Sequence, residues 1–414
     1  MPAARLSLRQ RMLNPGRWSL VLCLASVPVN KPAVSIFLFL ALVFSLLGPE
    51  VRARFNRAMR EPVVLGTTLW FIVLFLNALF TPAGDDRWSQ LSSYKALLYP
   101  LIVASLLTTQ EWRIRALAAF AIAVAMVLLL SWSQLFGLMP AREITDLYEA
   151  YRYTVFKDYS QQGLQFLMLA ALAASFAGVV EGRWTRRLLW LLAAAAVANV
   201  AFLLQSRTAY LVIAPLLLYW GWRLLAPRLG GVRGLLIGLL LLATLIGVAA
   251  LTPRVQDRID MAMHDIVQYQ GEREATSLGI RLELWRRTMP IIAAAPWFGH
   301  GIGEWDRQYF AQTKNEPDFE GFRMKHPHQE ALFFLAEVGI VGFSIFVLLL
   351  QLLGRHIAGM PPPYRDFYAS LLLIYITAGL ANCILVDSVH RHGFLMLLAC
   401  SPLLLKKVPH AKSA

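Results

Sequence analysis

Charge is scarce in this chain. Only 15% of its 414 residues are Asp, Glu, Lys or Arg, 57% are hydrophobic, and mean hydropathy is +0.54. Soluble globular domains are nearer a quarter charged, so the scarcity excludes an ordinary soluble enzyme and marks a membrane composition. Cysteine is scarce too. The three present, Cys23, Cys383 and Cys400, lie in apolar runs, which excludes a disulfide framework or a cysteine zinc site and leaves packing. Soluble repeats and low-complexity tracts are lacking, and neither metal nor cofactor is expected. The basic stretch "MPAARLSLRQRMLNPGRW" has no small-residue cleavage site after the first apolar run, and reads as an inside leader into a first span.

Apolar segments are abundant. Twelve are expected, near 18–30, 32–48, 63–82, 94–108, 114–138, 161–180, 187–205, 208–224, 234–252, 330–353, 368–386 and 390–405. With the N-terminus inside, 21 Lys and Arg fall in inner segments, 8 in short outer loops and 10 in one long outer loop, out of 39 in all. That asymmetry places both ends inside. The expected fold is an all-α integral membrane protein of about 12 transmembrane helices. Residues 1–252 would hold nine of them, 253–329 a long outer loop containing helices, and 330–414 three more with a short tail. The net charge of +14 then sets topology and meets anionic lipid, and does not point to nucleic acid.

Within the loop, "TPRVQDRIDMAMHDIVQY" has apolar residues at helical spacing and reads as an amphipathic helix on the membrane surface. "SLGIRLELWRRTMPIIAAAP" reads as a second helix that Pro290 bends or restarts. "WFGHGIGEW" places Gly299, Gly301 and Gly303 in a tight turn with exposed amides.

Several residues can carry chemistry. In "KHPHQEALFFLAEVGIVG", His326 and His328 stand at the outer entrance of an apolar helix. His328 can be neutral near physiological pH and accept a proton, or can simply hydrogen-bond a loop carbonyl. His326 and His328 could form half a metal site, but no third ligand is obvious beside them. Gly339 and Gly342 share a helix face and would let a neighbouring helix approach. Glu337, an acid within that segment, is a functional candidate by default. Arg207 and Arg281 lie on the outer side, where guanidinium forks match a diphosphate or a lipid headgroup. Trp285 follows Arg281 on the same helix face, whereas Arg286 and Arg287 point elsewhere. Asp85 and Asp86 form an adjacent acidic pair, fit for a metal or merely solvated. "YRYTVFKDYSQQG" suits sugar stacking or an aromatic belt. Asp387, His390, Arg391 and His392 sit at the outer end of two spans, where they line a cavity with His328 or anchor the interface.

His328, Gln329, Gly339 and Gly342 fill a pattern of His, then Asn, Ser or Gln, nine residues, Gly, two residues, then Gly, Thr or Tyr. With the preceding long loop, the Arg281–Trp285 pair, the "PWFGHGIG" turn and Ser206–Arg207, the chain resembles the O-antigen ligase and polymerase superfamily. The motifs cover about residues 160–350. The resemblance implies a glycosyltransferase of the periplasmic face of a bacterial inner membrane. Its donor is an O-antigen glycan on undecaprenyl diphosphate and its acceptor is lipid A-core, without metal. It would act as a monomer or weak oligomer among membrane lipids. His328 would be the base, with Arg207 and Arg281 on the diphosphate. The same motif serves O-antigen polymerases and protein O-oligosaccharyltransferases; the latter often carry a large C-terminal domain, which is not seen after the last span. A polyprenyl-lipid or anion transporter is the alternative of another class, and would need internal inverted repeats that are not apparent.

Overall fold

A computed structural model describes residues 11–80, 87–141, 152–204, 206–250, 256, 260, 277–314 and 324–403. Among these the regular structure is helical, without strands. The first helices are α1 (Asn14–Ser26), α2 (Lys31–Leu47), α3 (Val51–Ala58) and α4 (Pro62–Phe80). Next come α5 (Arg87–Tyr94), α6 (Tyr99–Leu106) and α7 (Gln110–Leu135). The middle of the chain forms α8 (Tyr159–Ala177), α9 (Arg183–Asn199), α10 (Arg207–Leu229) and α11 (Gly231–Ala250). The last are α12 (Ser277–Ala294), α13 (Trp305–Thr313), α14 (Glu330–Ala358), α15 (Tyr364–Gly379) and α16 (Ser388–Ala399).

Every expected apolar segment overlaps a helix, but the expected number of spans does not follow. Among the described residues, five helices are long and apolar enough to cross a membrane: α4, α7, α9 with its π-helical extension to Leu204, α10 and α14. A sixth arises if α2 and α3, bent by 119°, count as one. With 13, 8 and 12 residues, α1, α6 and α16 fall short of the roughly 20 that hydrocarbon requires. The segment expected at 94–108 is a broken helix. A 3₁₀ turn, Lys95–Leu98, separates α5 from α6, and Pro100, which has no amide proton, sits in the first turn of α6.

The core is built around α8, in which every residue from Gln162 to Ser175 is buried. It packs against α9, α15 and α7, while α10 pairs with α11 and α4 with α14. Trp70 on α4 meets Phe334 and Phe346 on α14 at ring-centroid distances of 5.1 and 5.0 Å. Aromatic pairs of this kind add about 0.5–1.5 kcal/mol each beyond the area they bury. All three cysteines are buried free thiols, as packing residues should be.

Three arginines counted above as inner-loop charge are buried instead: Arg17, Arg54 and Arg113. Arg54 donates to the carbonyls of Ser45 (2.6 Å), Pro49 (2.9 Å) and Ser105 (3.2 Å). Arg113 donates to Leu107 O, to Ser401 O and to Glu61 at 2.6 Å. Carbonyls at helix ends lack partners within the helix, and these side chains supply them.

In the loop region α12 runs through Pro290 as one helix, neither ended nor restarted there. The stretch expected as a surface helix at 252–269 lies, apart from Gln256 and Asp260, outside the described residues, as do Asp85 and Asp86.

The glycine turn is the main departure from expectation. Gly339 takes φ 65° and breaks α14 ten residues in, and the turn at 296–301 fills the break. Two helix carbonyls, of Ala336 and Glu337, accept from the amides of His300 and Gly301 at 2.9 Å each. The amides of Ile340 and Val341 donate back to Pro296 O (2.8 Å) and Trp297 O (3.1 Å). A Cβ on Gly339 would lie 2.4 Å from the Trp297 carbonyl carbon, and one on Gly299 would lie 2.3 Å from that of Glu337. The glycine at 339 therefore admits a backbone turn rather than a neighbouring helix. Gly342 faces Val338 of its own helix, 2.6 Å from where its Cβ would stand. The turn's amides are not exposed either. Ile302 N donates to Asn77 Oδ1 (3.0 Å) and Gly303 N to Glu337 Oε1 (2.8 Å), so no anion nest is left.

Candidate active site

Three helices begin at one place, and each begins with a side-chain cap. Asp158 caps α8, accepting from the amides of Ser160 and Gln161 at 2.8 Å. Ser206 caps α10 through Ala209 N (3.2 Å), and Gln329 caps α14 through Leu332 N. This gives a local reason for Asn, Ser or Gln after the motif histidine: each carries the side-chain oxygen a cap requires. The helix starts carry Tyr159, Arg207 and His328; Arg281 on α12 feels Tyr159 and Arg207, and His328 in turn feels Arg281. Helix N-termini and two guanidinium groups favour an anion at this point. Burial, then the neighbouring Arg207, lower the Arg281 pKa, while Tyr159 opposes the shift.

His328 occupies the left-handed region, φ 54°, rare for a residue with a Cβ and a sign that its surroundings hold it there. Trp285 Nε1 donates to Pro327 O at 3.0 Å, so the residue one turn after Arg281 anchors the His-Pro-His segment. The backbone amide of His328 donates to His326 Nδ1 (3.3 Å), and the two rings meet edge to face at 4.4 Å. His328 Nδ1 lies 3.3 Å from Asn382 Oδ1. That oxygen also accepts from Cys383 N at 3.1 Å, which identifies it as the carbonyl end of the amide. His328 Nδ1 must therefore donate, leaving the Nε2 lone pair for a substrate proton. Burial first, and then Arg281, push the His328 pKa down, while the Asn382 bond and Asp387 pull it up. His326 is pushed down to about 4, by burial and then by His328. Both imidazoles are thus neutral near pH 7.

The turn that carries Asn382 is tied to α14 by Glu330, which is buried and accepts from Leu385 N at 2.8 Å. Asp387 follows in that turn, and its charge reaches His326 and His328. A carboxylate thus stands near the two histidines where none was apparent in the sequence, although no group of three metal-ligating side chains occurs among the described residues. His390 Nδ1 is 2.9 Å from Asp387 Oδ2, and Gln161 Nε2 donates to the same oxygen at 3.4 Å. Arg391 donates to Leu385 O (3.2 Å) and Val386 O (2.9 Å), supporting the turn from below, and His392 pairs with the Tyr99 hydroxyl at 3.4 Å.

The expected residues thus divide. Arg207, Arg281, Trp285, His326, His328 and Asp387 come together. Glu337 does not join them: its carboxylate accepts from Gly303 N and, at 3.3 Å, from the Tyr94 hydroxyl, which holds the glycine turn. Arg286 and Arg287 pair with Glu283. Asn382, Asp158 and Gln161 were not foreseen. Asp158 and Gln161 had a legible signal, an acidic cap followed three residues on by Gln. Asn382 had none.

Residues 192–347 match the family described as O-antigen ligase. Over that stretch the chain is similar to the O-antigen ligase/polymerase superfamily. With its long apolar helices and this match, it is a multi-pass membrane protein. The match takes in Arg207, Arg281, Trp285, the glycine turn and His328, and ends before Asn382, Asp387 and His390. An uncharacterized protein of Haemophilus influenzae (strain ATCC 51907 / DSM 11121 / KW20 / Rd) is 31% identical over 124 residues. That alignment covers 28% of this chain and 31% of the relative, so the chain spans about a third of the length of the curated protein it matches.

Proposed function

We propose that this protein ligates an O-antigen glycan from undecaprenyl diphosphate onto lipid A-core in the periplasmic leaflet of the inner membrane, with inversion and without a metal ion. The observation that carries the reading is His328, held by Asn382 with Nε2 free to accept a proton, beside the Arg281–Arg207 pair. An acceptor hydroxyl gives its proton to His328 Nε2 as its oxygen bonds to the anomeric carbon. The bond from that carbon to the diphosphate oxygen breaks, and the electron pair leaves with the diphosphate. Arg207 and Arg281 stabilise the charge that develops there, a task for which guanidinium forks suffice without a cation. A single displacement inverts the anomeric centre.

An apolar cavity of about 180 Å³ between α4, α14 and α16 supports a lipid donor. It is lined mainly by leucines and reaches Tyr375 and Leu385, next to the turn that carries Asn382. An isoprenoid segment suits its chemistry.

O-antigen polymerisation uses the same donor chemistry with a second lipid-linked glycan as acceptor, and is the competing reading. Lipopolysaccharide banding in a strain lacking the protein separates the two. Accumulated lipid-linked polymer that never reaches core supports ligation. Core bearing a single repeat supports polymerisation, and unchanged lipopolysaccharide overturns both.

A further inference from the structure

Nothing above assigns the part of the site that meets the acceptor. The side chains at its two ends differ in character. On one side stand Arg207 and Arg281, suited to an anion. On the other stand two carboxylates, Asp158 and Asp387, with His390 and Gln161 between or beside them. These side chains both accept and donate hydrogen bonds, as sugar hydroxyls do.

His390 is nine-tenths or more buried, and its Nδ1 is held by the Asp387 carboxylate. A carboxylate only accepts, so Nδ1 carries a hydrogen and Nε2 is left to meet another group. That Nε2 is buried and has no protein partner among the described residues. Buried polar atoms are nearly always hydrogen-bonded, and one that is not points to a group arriving from outside the protein. Asp387, which fixes this ring, lies in the same turn as Asn382, which holds His328, and its amide donates to Cys383 O at 3.0 Å, so the imidazole belongs to the same site as His328.

We propose that the Asp387–His390 pair is an acceptor-sugar subsite, in which His390 Nε2 receives the hydrogen of a second, non-reacting hydroxyl of the sugar whose nucleophilic hydroxyl is presented to His328. The pair makes no covalent bond. It orients the acceptor ring, and Gln161, which donates to the same Asp387 oxygen, helps to fix the carboxylate. The inference rests on the glycosyl-transfer reading, but not on which acceptor is used.

The test is a double comparison with purified full-length protein. A series of acceptors, each lacking one hydroxyl, is run against the wild type and against His390→Asn. Asparagine can still donate to Asp387 from the position of Nδ1, but it has nothing at the position of Nε2. In the wild type, removing one particular non-reacting hydroxyl should raise the acceptor KM about three- to tenfold, the worth of one neutral hydrogen bond. His390→Asn should raise the KM for the intact acceptor by a similar factor, leave the donor KM unchanged and be indifferent to loss of that hydroxyl. If the wild type senses no single hydroxyl, the subsite does not exist and Nε2 meets water only. If His390→Asn keeps the acceptor KM within about twofold, His390 merely tethers Asp387. Should the wild type glycosylate a second lipid-linked glycan instead of lipid A-core, ligation fails as the function. The same series, made in that glycan, then tests the subsite.

Discussion

Substituting alanine for Gly339 tests the interlock that seats α14, the helix that follows His328. Residue 339 sits at φ 65°, where a side chain costs about 1–2 kcal/mol. Its Cβ would stand 2.4 Å from the Trp297 carbonyl carbon and oxygen and 2.5 Å from Phe298 N, all backbone atoms. Ordinary carbon contacts are about 3.5–4.0 Å, so the turn must withdraw by about 1 Å. Four backbone hydrogen bonds, from His300, Gly301, Ile340 and Val341, stretch or break together. At roughly 0.5–1.5 kcal/mol net for each, the loss with the backbone term comes to about 3–8 kcal/mol. That exceeds the usual range of single substitutions. Thermal unfolding of protein purified in detergent should show a midpoint lowered by more than about 5 °C. Gly299→Ala should behave alike, because its Cβ meets Glu337 reciprocally. Gly342→Ala should be milder, since its clash is with one side chain. A Gly339→Ala protein melting within about 2 °C of wild type would refute the interlock and return Gly339 to an ordinary helix-packing role.

Other outcomes follow from the site. His328→Ala should lower turnover by about 10²–10⁴, the usual worth of a positioned base, with donor binding within a few-fold; normal turnover would remove His328 from the chemistry. Arg281→Lys should lose most activity because an ammonium cannot form the fork, while Arg286→Lys, which already pairs with Glu283, should stay near wild type; equal tolerance would leave Arg281 a headgroup contact. His328 must be neutral to act, and its pKa is lowered, so the acid limb of the rate profile should lie below the model imidazole value of about 6.5. Removing the like charge in Arg281→Gln should move the residual activity's acid limb upward, and an unchanged limb would assign it to another group. A membrane-impermeant thiol reagent applied from the periplasm should label Arg307→Cys in intact cells but Gly231→Cys only after lysis; the reverse pattern would overturn the orientation.

The local pattern alone determined a good deal. Apolar run length and scarcity of charge implied a helical membrane protein, because hydrocarbon demands that backbone groups be satisfied within the segment. The spacing of Arg281 and Trp285, one helical turn apart, put both on the face that meets the histidine segment. The motif from His328 to Gly342 located the histidine, the cap and the two glycines, all within a few turns of chain. How many helices cross the membrane was not decided by hydropathy, because runs such as 94–108 are interrupted by a 3₁₀ turn that composition does not register. The use of the glycines was not legible either. Only the fold brings residues 296–301 against Gly339, and turns exposed amides into helix hydrogen bonds. Glu337 looked catalytic as an acid in an apolar run, yet its partner Gly303 lies 34 residues earlier. Asn382, which sets the His328 tautomer, lies 54 residues away in a turn without any motif. Such partners are chosen by packing across the chain, and a hydrogen bond between distant segments leaves no periodic trace in either one.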